Sequence, residues 1–176
     1  MVMANHGELE HAGDRWRLRF ARRLAHPPEK VWRALTEPEH LRAWFPTTIE
    51  GDRVSGATLR FAHPDDQGPA FTGRLITYRP PSLMELEWGG DTLRFELSPD
   101  GDGTVLTLLD VFDEQGKAAR DAAGWHVCLD LLGRHLDGAP APHDRLDGWT
   151  RVNSEYIDRF GPPAATIGPP ESMSRS

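Results

Sequence analysis

The chain lacks several features that define whole classes of protein. A single cysteine, Cys128, excludes an intramolecular disulfide and a zinc site made only of cysteines. No segment approaches the roughly 20 apolar residues of a membrane-spanning helix, and the first residues show neither the basic start nor the apolar run of a signal peptide. We therefore expect a reducing, cytoplasmic compartment and no membrane partner.

Positive charge is also in short supply. Lysine and arginine number 20 against 27 aspartates and glutamates, which gives a formal net charge of −7. Binding to a nucleic-acid backbone or to an anionic membrane needs a basic surface, so we expect neither partner. Hydrophobic residues make up 38% of the 176 positions, which is enough for one core. A chain of this length is most simply one domain with extensions.

The sequence contains none of the common catalytic signatures. We find no glycine-rich phosphate loop, no Gly-x-Ser-x-Gly elbow and no Ser-x-x-Lys pattern. Cys128 lies one position off an apolar stripe, which favours an inert, at least partly buried thiol. His126 and Asp130 are helical neighbours, but a metal site needs about three protein ligands, and the surroundings of His63 are typical of a solvated turn. We therefore assign no catalytic residue, no metal and no cofactor.

Hydrophobic periodicity divides the chain into four parts. Residues 1–13 are polar and aperiodic, and we interpret them as a flexible arm. Residues 14–138 carry a strand (DRWRLRFARRL), two short helices, about six strand-like segments beginning with TIEGDRV, and one long helix. Residues 139–161 are interpreted as a proline-rich connector with an additional helix, and residues 162–176 have the composition of a disordered tail.

The long helix predicts how the layers pack. In KAARDAAGWHVCLDLLGRHLDG, apolar residues recur at spacings of four and three up to Gly138, which is placed to end the helix. The strand segments alternate apolar and polar residues and are joined by short turns, as in an antiparallel sheet that is covered on one face. These features predict an α+β fold, a curved antiparallel sheet packed against the long helix, with space for a cavity between them.

The segment VWRALTEPEHLRAWFP concentrates aromatic residues around Pro38. Its second helix has two compatible starts: Thr36 as the cap with Glu39 three residues on, or Glu37 followed by Pro38 in the first helical position. Trp32 is interpreted as the anchor of this helix pair to the core. Trp44 and Phe45 are either closed core or the mouth of a cavity, because short elements of low stability commonly act as lids.

The order and spacing of these elements resemble a known family. The segments PPEKVWRALTEPEHLRAWF, GRLITYRPPSLMELEW, GDGTVLTLLDVF and GWHVCLDLLGRHLDG are together similar to the START-like (SRPBCC) superfamily. Within it they resemble the bacterial branch named for the activator of the heat-shock-protein-ninety ATPase. The likeness spans residues 15–138 and departs from the family pattern at Asp102, inside a Gly-Gly-Thr turn, and at Ser55, where a second glycine is common. The resemblance implies a helix-grip fold with an internal cavity for small apolar molecules, but a fold alone does not choose an activity.

A set of mainly aromatic residues is expected to line that cavity. We expect these side chains to converge between the short helices, the sheet and the long helix and to bind a ligand; the set is Trp44, Phe45, Phe61, Phe71, Trp88, Arg94, Phe95, Trp125 and Leu129. Arg94 has two interpretations. It is either a surface partner of nearby glutamates across the sheet or a cation that recognises a ligand carboxylate.

Three functions are compatible with these observations. The first is non-catalytic binding of a small hydrophobic or aromatic molecule in an internal cavity. The second is an enzyme of cyclase or hydrolase type, which requires a histidine, aspartate or arginine inside the cavity as acid or base. The third is a protein-interaction module of the chaperone-regulator kind, which requires an exposed apolar patch. The additional helix, residues 149–160, either supplies that patch, docks on its own domain or forms a homodimer.

Overall fold

The structure is a computed structural model that describes residues 5–64, 68–143 and 145–169. In this part of the chain the strands form a seven-stranded antiparallel sheet in the order β1-β2-β7-β6-β5-β4-β3. The strands are β1 (Glu8–Ala12), β2 (Arg15–Leu24), β3 (Thr58–Phe61), β4 (Phe71–Arg79), β5 (Leu83–Trp88), β6 (Asp91–Asp100) and β7 (Gly103–Phe112). The curved sheet and the long helix that covers it confirm the expected α+β helix-grip fold.

Two short helices follow β2, and prolines begin both. Helix α1 (Pro28–Thr36) has Pro28 in its first turn, where the missing amide hydrogen costs no helical bond. Helix α2 (Pro38–Leu41) starts after Glu37, whose backbone is extended at φ −85° and ψ 132°. A residue before proline is pushed into this extended region. Of the two predicted starts, the one at Glu37 is therefore correct.

Helix α3 (Ala118–Leu136) lies across the sheet and buries the predicted apolar stripe. Gly138, with a φ of 72°, follows its end as expected. Helix α4 (Arg145–Phe160) packs on α3, and Trp149, Val152 and Tyr156 are all buried in the common core. Of the three roles predicted for the additional helix, the structure shows docking on its own domain.

The expected flexible arm is partly wrong. Residues 8–12 form β1, which pairs along its whole length with β2 from Glu8 opposite Arg19 to Ala12 opposite Arg15. An ion pair of 2.6 Å between Glu10 and Arg17 reinforces this edge. An edge strand with one solvent-exposed face needs few apolar residues, so its sequence carries no clear alternating pattern. Residues 1–4 lie outside the described part of the chain.

The expected disordered tail is wrong for residues 162–169. Pro162–Ala165 form a turn of 3₁₀ helix, and the side chain of Ala164 is completely buried. The backbone N–H of Ile167 then donates to the carbonyl oxygen of Gly116 at 3.0 Å, which ties this segment to the start of α3. Residues 170–176 lie outside the described part of the chain.

One predicted strand is absent. The segment TIEGDRV, residues 48–54, makes only a single bridge, between Glu50 and Arg60, and otherwise runs as an irregular connection. Gly51 has a φ of 139°, outside the range of a regular strand for other residues. Within the residues that the structure describes, no helix is long and apolar enough to cross a bilayer.

Candidate functional site

The seven aromatic residues expected to converge do so. Phe45 is central, with ring centroids 5.3 Å from Trp44, 5.8 Å from Trp125, 6.0 Å from Trp88 and 6.5 Å from Phe95. A chain of contacts then continues outward. Trp88 lies 5.8 Å from Phe71, and Phe71 stacks on Phe61 at 5.1 Å. The sequence therefore located this cluster correctly, at the meeting point of the short helices, the sheet and α3.

The aromatic cluster is a closed core for most of its extent. Trp44 is 3% exposed and Phe95 is 1% exposed, and Leu129 on α3 is buried in the same core cluster. Indole hydrogen bonds fix the rings: Trp44 Nε1–H donates to the carbonyl oxygen of Ala34 at 2.9 Å, and Trp125 Nε1–H donates to Asp110 Oδ2 at 2.9 Å. The space between the sheet and α3, where we expected the cavity, is thus filled by large side chains.

The larger of the two pockets described here lies beside the helix pair. This helix-pair pocket has a volume of about 820 Å³ and opens between α1, α2, the connection at residues 47–53 and the end of β4. Its apolar wall consists of Trp32, Pro38, Leu41, Phe45, Ile49, Pro64, Tyr78 and Pro80. Of the nine predicted site residues, only Phe45 belongs to this wall.

Arg53 holds one side of the helix-pair pocket in place. Its guanidinium donates twice to the carbonyl oxygen of Thr36, at 3.2 and 2.9 Å, and once each to those of Ile49 and Gly51, at 2.9 and 3.0 Å. These bonds satisfy the last carbonyl group of α1 and fix the irregular connection against it. Burial lowers the pKa of Arg53 from its ordinary value. Nothing in the sequence marks Arg53, because its partners lie at non-periodic positions.

Arg94 lies on the outward face of the sheet. Its Nε donates to Glu96 at 2.6 Å and its Nη1 to Glu85 at 3.3 Å, and it lines neither of the two pockets described here. The hydrogen bond from Arg94 to Glu96 raises the pKa of Arg94. The interpretation as a cavity cation is therefore wrong, and the surface ion pair is correct, because the strict alternation of β6 keeps residue 94 on the face opposite Leu93 and Phe95.

A second pocket lies beside α3 and includes three predicted residues. This α3 pocket has a volume of about 450 Å³ and contains Phe71, Trp88 and Trp125 in its wall, together with Trp149 from α4. His63, for which we predicted a solvated turn, also faces it. The aspartates that follow His63 lie outside the described residues.

A buried ionic network forms the polar wall of the α3 pocket. Lys117 Nζ lies 2.7 Å from Asp91 Oδ1 and 3.3 Å from Asp121 Oδ2. Asp110 is completely buried. If its side chain is ionised, Oδ1 has no hydrogen-bond partner among the described groups. Burial, and then the charge of Asp91, raise the pKa of Asp110 well above its ordinary range. This shift fits a neutral Asp110 that donates a hydrogen bond to Asp91.

In the part of the chain that the structure describes, two clusters of acidic and histidine groups lie close enough together to be considered as metal sites. In the first, oxygen atoms of Asp91, Asp110 and Asp121 lie within 4.8 Å of one another. The ammonium group of Lys117 already supplies a positive charge there. The second consists of Glu37, Glu39 and His40; its carboxylates lie at the exposed start of α2, a common position for acidic residues.

His126 belongs to a buried hydrogen-bond network rather than to a metal site. Its Nδ1 lies 2.8 Å from the hydroxyl oxygen of Tyr156, and its Nε2 lies 3.6 Å from Asp130. The Tyr156 hydroxyl also accepts the backbone N–H of Gly7 at 2.7 Å. Burial lowers the pKa of His126 to about 4 and raises that of Tyr156 to about 12, so both groups are neutral near pH 7. The network joins α3, α4 and the segment before β1.

Several solved structures share this fold. The conserved protein of unknown function EF2215 from Enterococcus faecalis matches with a TM-score of 0.72 at 21% identity, over 88% of this chain and 90% of that one. CalU16 from Micromonospora echinospora matches with a TM-score of 0.66 at 26% identity, over 88% and 92%. The protein encoded by BPP1335 from Bordetella parapertussis gives a TM-score of 0.66 at 25% identity, over 89% and 93%. Among proteins with curated functions, none matches the chain.

The family comparison agrees with the fold. The family described as "Activator of Hsp90 ATPase homolog 1-like protein" matches residues 25–137, from the residue after β2 to the end of α3. This match covers more than half of the 176 residues. It includes α1, α2, the sheet from β3 to β7 and α3, which are the elements that define the helix grip. The chain therefore belongs to the Activator of Hsp90 ATPase homolog 1-like family.

Proposed function

We propose that the protein binds a small, mainly apolar molecule in the helix-pair pocket and releases it unchanged. The observation that carries this proposal is the pocket itself. Its volume of about 820 Å³ falls within the range of roughly 300–1,000 Å³ typical of small-molecule sites. Its wall combines two aromatic rings packed on each other, Trp32 and Tyr78 at 5.4 Å, with aliphatic side chains and prolines.

The short helices favour access to this pocket. Helix α2 is a single turn of four residues, Pro38–Leu41. A side-chain bond of 2.8 Å between His40 and His135 on α3 connects α2 to the rest of the domain. Of the four residues of α2, only Leu41 is buried. An element with so little buried surface opens at low free-energy cost, as a ligand entrance requires.

The groups around the helix-pair pocket do not favour catalysis. None of its described lining residues is a histidine. Its two glutamates already have partners, with Glu50 2.8 Å from Arg60 and Glu37 3.4 Å from the His40 ring. A general acid or base needs a pKa tuned near the working pH, and the strongly shifted carboxyl group, Asp110, lies in the network of the other pocket.

The regulator alternative finds less support in the described surface. The exposed large hydrophobic residues there are Val54, at 58%, and Ile157, at 38%. Single exposed apolar residues are normal, whereas a docking patch needs several together.

Titration with N-phenylnaphthylamine, an uncharged apolar fluorophore, tests the proposal. We expect saturable one-to-one binding that is lost in Thr48→Trp, because Thr48 lines the pocket and is half-buried. Val54→Trp places the same side chain at an exposed position outside the pocket and should leave binding unchanged. Glu37→Trp narrows the pocket from its other side and should reproduce the loss.

The proposal is overturned by two outcomes. One is the absence of saturable binding to the wild-type protein. The other is equal binding by wild type and by both blocking variants, with circular dichroism showing that each variant is folded.

A further inference from the structure

The charges around the helix-pair pocket are unbalanced. Three arginines, Arg33, Arg42 and Arg53, line it together with two glutamates. Glu50 is paired with Arg60 outside the pocket, and Glu37 lies 3.4 Å from the His40 ring. By contrast, no carboxylate of the described residues lies within 4.0 Å of any of the three guanidinium groups. Counted over the described residues, the pocket is thus locally cationic in a chain whose formal net charge is −7.

The three arginines differ in how they are held. Arg33 and Arg42 are exposed and lie at the rim, on α1 and directly after α2. Arg53 is half-buried and fixed by four hydrogen bonds to carbonyl oxygens, which consume four of its five N–H donors. Carbonyl groups satisfy these donors without neutralising the charge. An anion placed beside Arg53 would meet a cation that is already ordered, so binding would cost little side-chain entropy.

We propose that the ligand of the helix-pair pocket is an amphipathic organic acid, whose apolar body lies on Trp32, Phe45 and Ile49 and whose anionic group is directed to Arg53 and Arg42. This inference rests on the proposed function, since it concerns the same pocket. The anion supplies the countercharge that the described protein groups do not. The rim arginines also attract anions over about 10 Å at moderate ionic strength, and this attraction weakens as salt is added.

A matched pair of probes isolates the charge. Anilinonaphthalene sulfonate and N-phenylnaphthylamine share the same aromatic body, and only the first carries an anion. We expect wild type to bind the sulfonate at least about tenfold more tightly, equivalent to one charge-assisted hydrogen bond. This preference should shrink at high salt, while binding of the neutral probe should not weaken.

Variants of Arg53 separate its charge from its structural role. In Arg53→Gln we expect the preference for the sulfonate to fall about tenfold. Arg53→Lys loses the planar fork that binds the carbonyl groups but keeps the charge, so the preference should be largely retained. Arg42→Gln should weaken sulfonate binding by a smaller factor than Arg53→Gln, and it should leave the protein core unchanged because Arg42 is exposed. Arg74→Gln makes the same charge change at an exposed strand position outside the pocket and should have no effect.

The outcomes distinguish this inference from the proposed function. Binding of neither probe overturns both. Equal binding of the two probes by wild type overturns the inference and leaves the proposed function standing. The inference is also overturned if Arg74→Gln loses as much of the sulfonate preference as Arg42→Gln does. The attraction would then come from the overall charge of the protein. Should Arg53→Gln fail to fold, Arg42→Gln and the salt dependence give the same decision.

Discussion

Removal of the Tyr156 hydroxyl group tests whether α4 is an integral part of the fold. This hydroxyl group makes two buried hydrogen bonds, one with Gly7 N–H at 2.7 Å and one with His126 Nδ1 at 2.8 Å. We assign the proton of neutral His126 to Nε2, because Nε2 faces Asp130 at 3.6 Å. The phenol then donates to Nδ1 while it accepts from Gly7 N–H. Tyr156→Phe removes both bonds but keeps the ring, which packs on Phe160 at 5.2 Å.

The expected loss is about 2 kcal/mol in the free energy of unfolding. Each intramolecular bond contributes about 1 kcal/mol net, and the Gly7 donor left buried without a partner adds to the cost. For a chain of this size, a loss of that amount lowers Tm by roughly 4–8 °C. Urea unfolding followed by circular dichroism measures the change, and an unchanged m-value shows that the unfolded state is not altered.

The matched control is Ile157→Ala, one residue further on. Ile157 is 38% exposed, so its truncation should change stability by less than about 0.5 kcal/mol. The reasoning is refuted if Tyr156→Phe also changes stability by less than about 0.5 kcal/mol, since α4 would then be held by packing alone.

Three further predictions concern stability. The pKa of His126 is about 4 in the folded protein and 6.5 in the unfolded chain, so the folded state binds fewer protons between these pH values. The stability of the protein should therefore fall as the pH drops from 6.5 to about 4, and a His126→Gln variant should show a shallower fall. Asp110 has the opposite sign: its raised pKa means that the folded state binds more protons, so stability should decline as pH rises above the ordinary carboxyl range. Asp110→Asn, a neutral amide of the same shape, should remove that decline and be at least as stable as wild type at alkaline pH; strong destabilisation there would show that the carboxylate is required. Gly73→Ala should destabilise by about 1–3 kcal/mol in thermal unfolding, because its Cβ would meet the backbone oxygen of Glu87 on β5, whereas Gly124→Ala meets open space and should be tolerated.

The parts of the fold that follow from periodicity were predictable from the sequence. The alternation in β6 placed Leu93 and Phe95 inside and Arg94 outside, and the stripe of α3 placed Trp125 and Leu129 against the sheet. These patterns are local, and burial enforces them strongly. Convergence of the aromatic residues followed once the layers were known.

The position of the larger pocket was not predictable in the same way. It depends on the irregular connection at residues 47–53, which has no period, and on bonds from Arg53 to Thr36, 17 positions earlier in the chain. It also depends on how completely Trp44 and Phe45 fill the space under α3, which is a matter of side-chain volume rather than of pattern. Strand β1 and the ordered residues 162–169 were missed for a related reason, since long-range pairing fixes them.

The central claim is that a small apolar molecule binds in the helix-pair pocket. The tryptophans report on this directly, because of the six in the chain only Trp32 lines the helix-pair pocket, whereas Trp88, Trp125 and Trp149 line the α3 pocket. The decisive measurement is a titration with N-phenylnaphthylamine followed by the indole N–H signals in a proton–nitrogen correlation spectrum, assigned by single Trp→Phe variants. We predict that the Trp32 signal shifts in a saturable manner while those of Trp88, Trp125 and Trp149 stay in place. Saturable shifts confined to the three tryptophans of the α3 pocket, or no shift at all, would contradict the account.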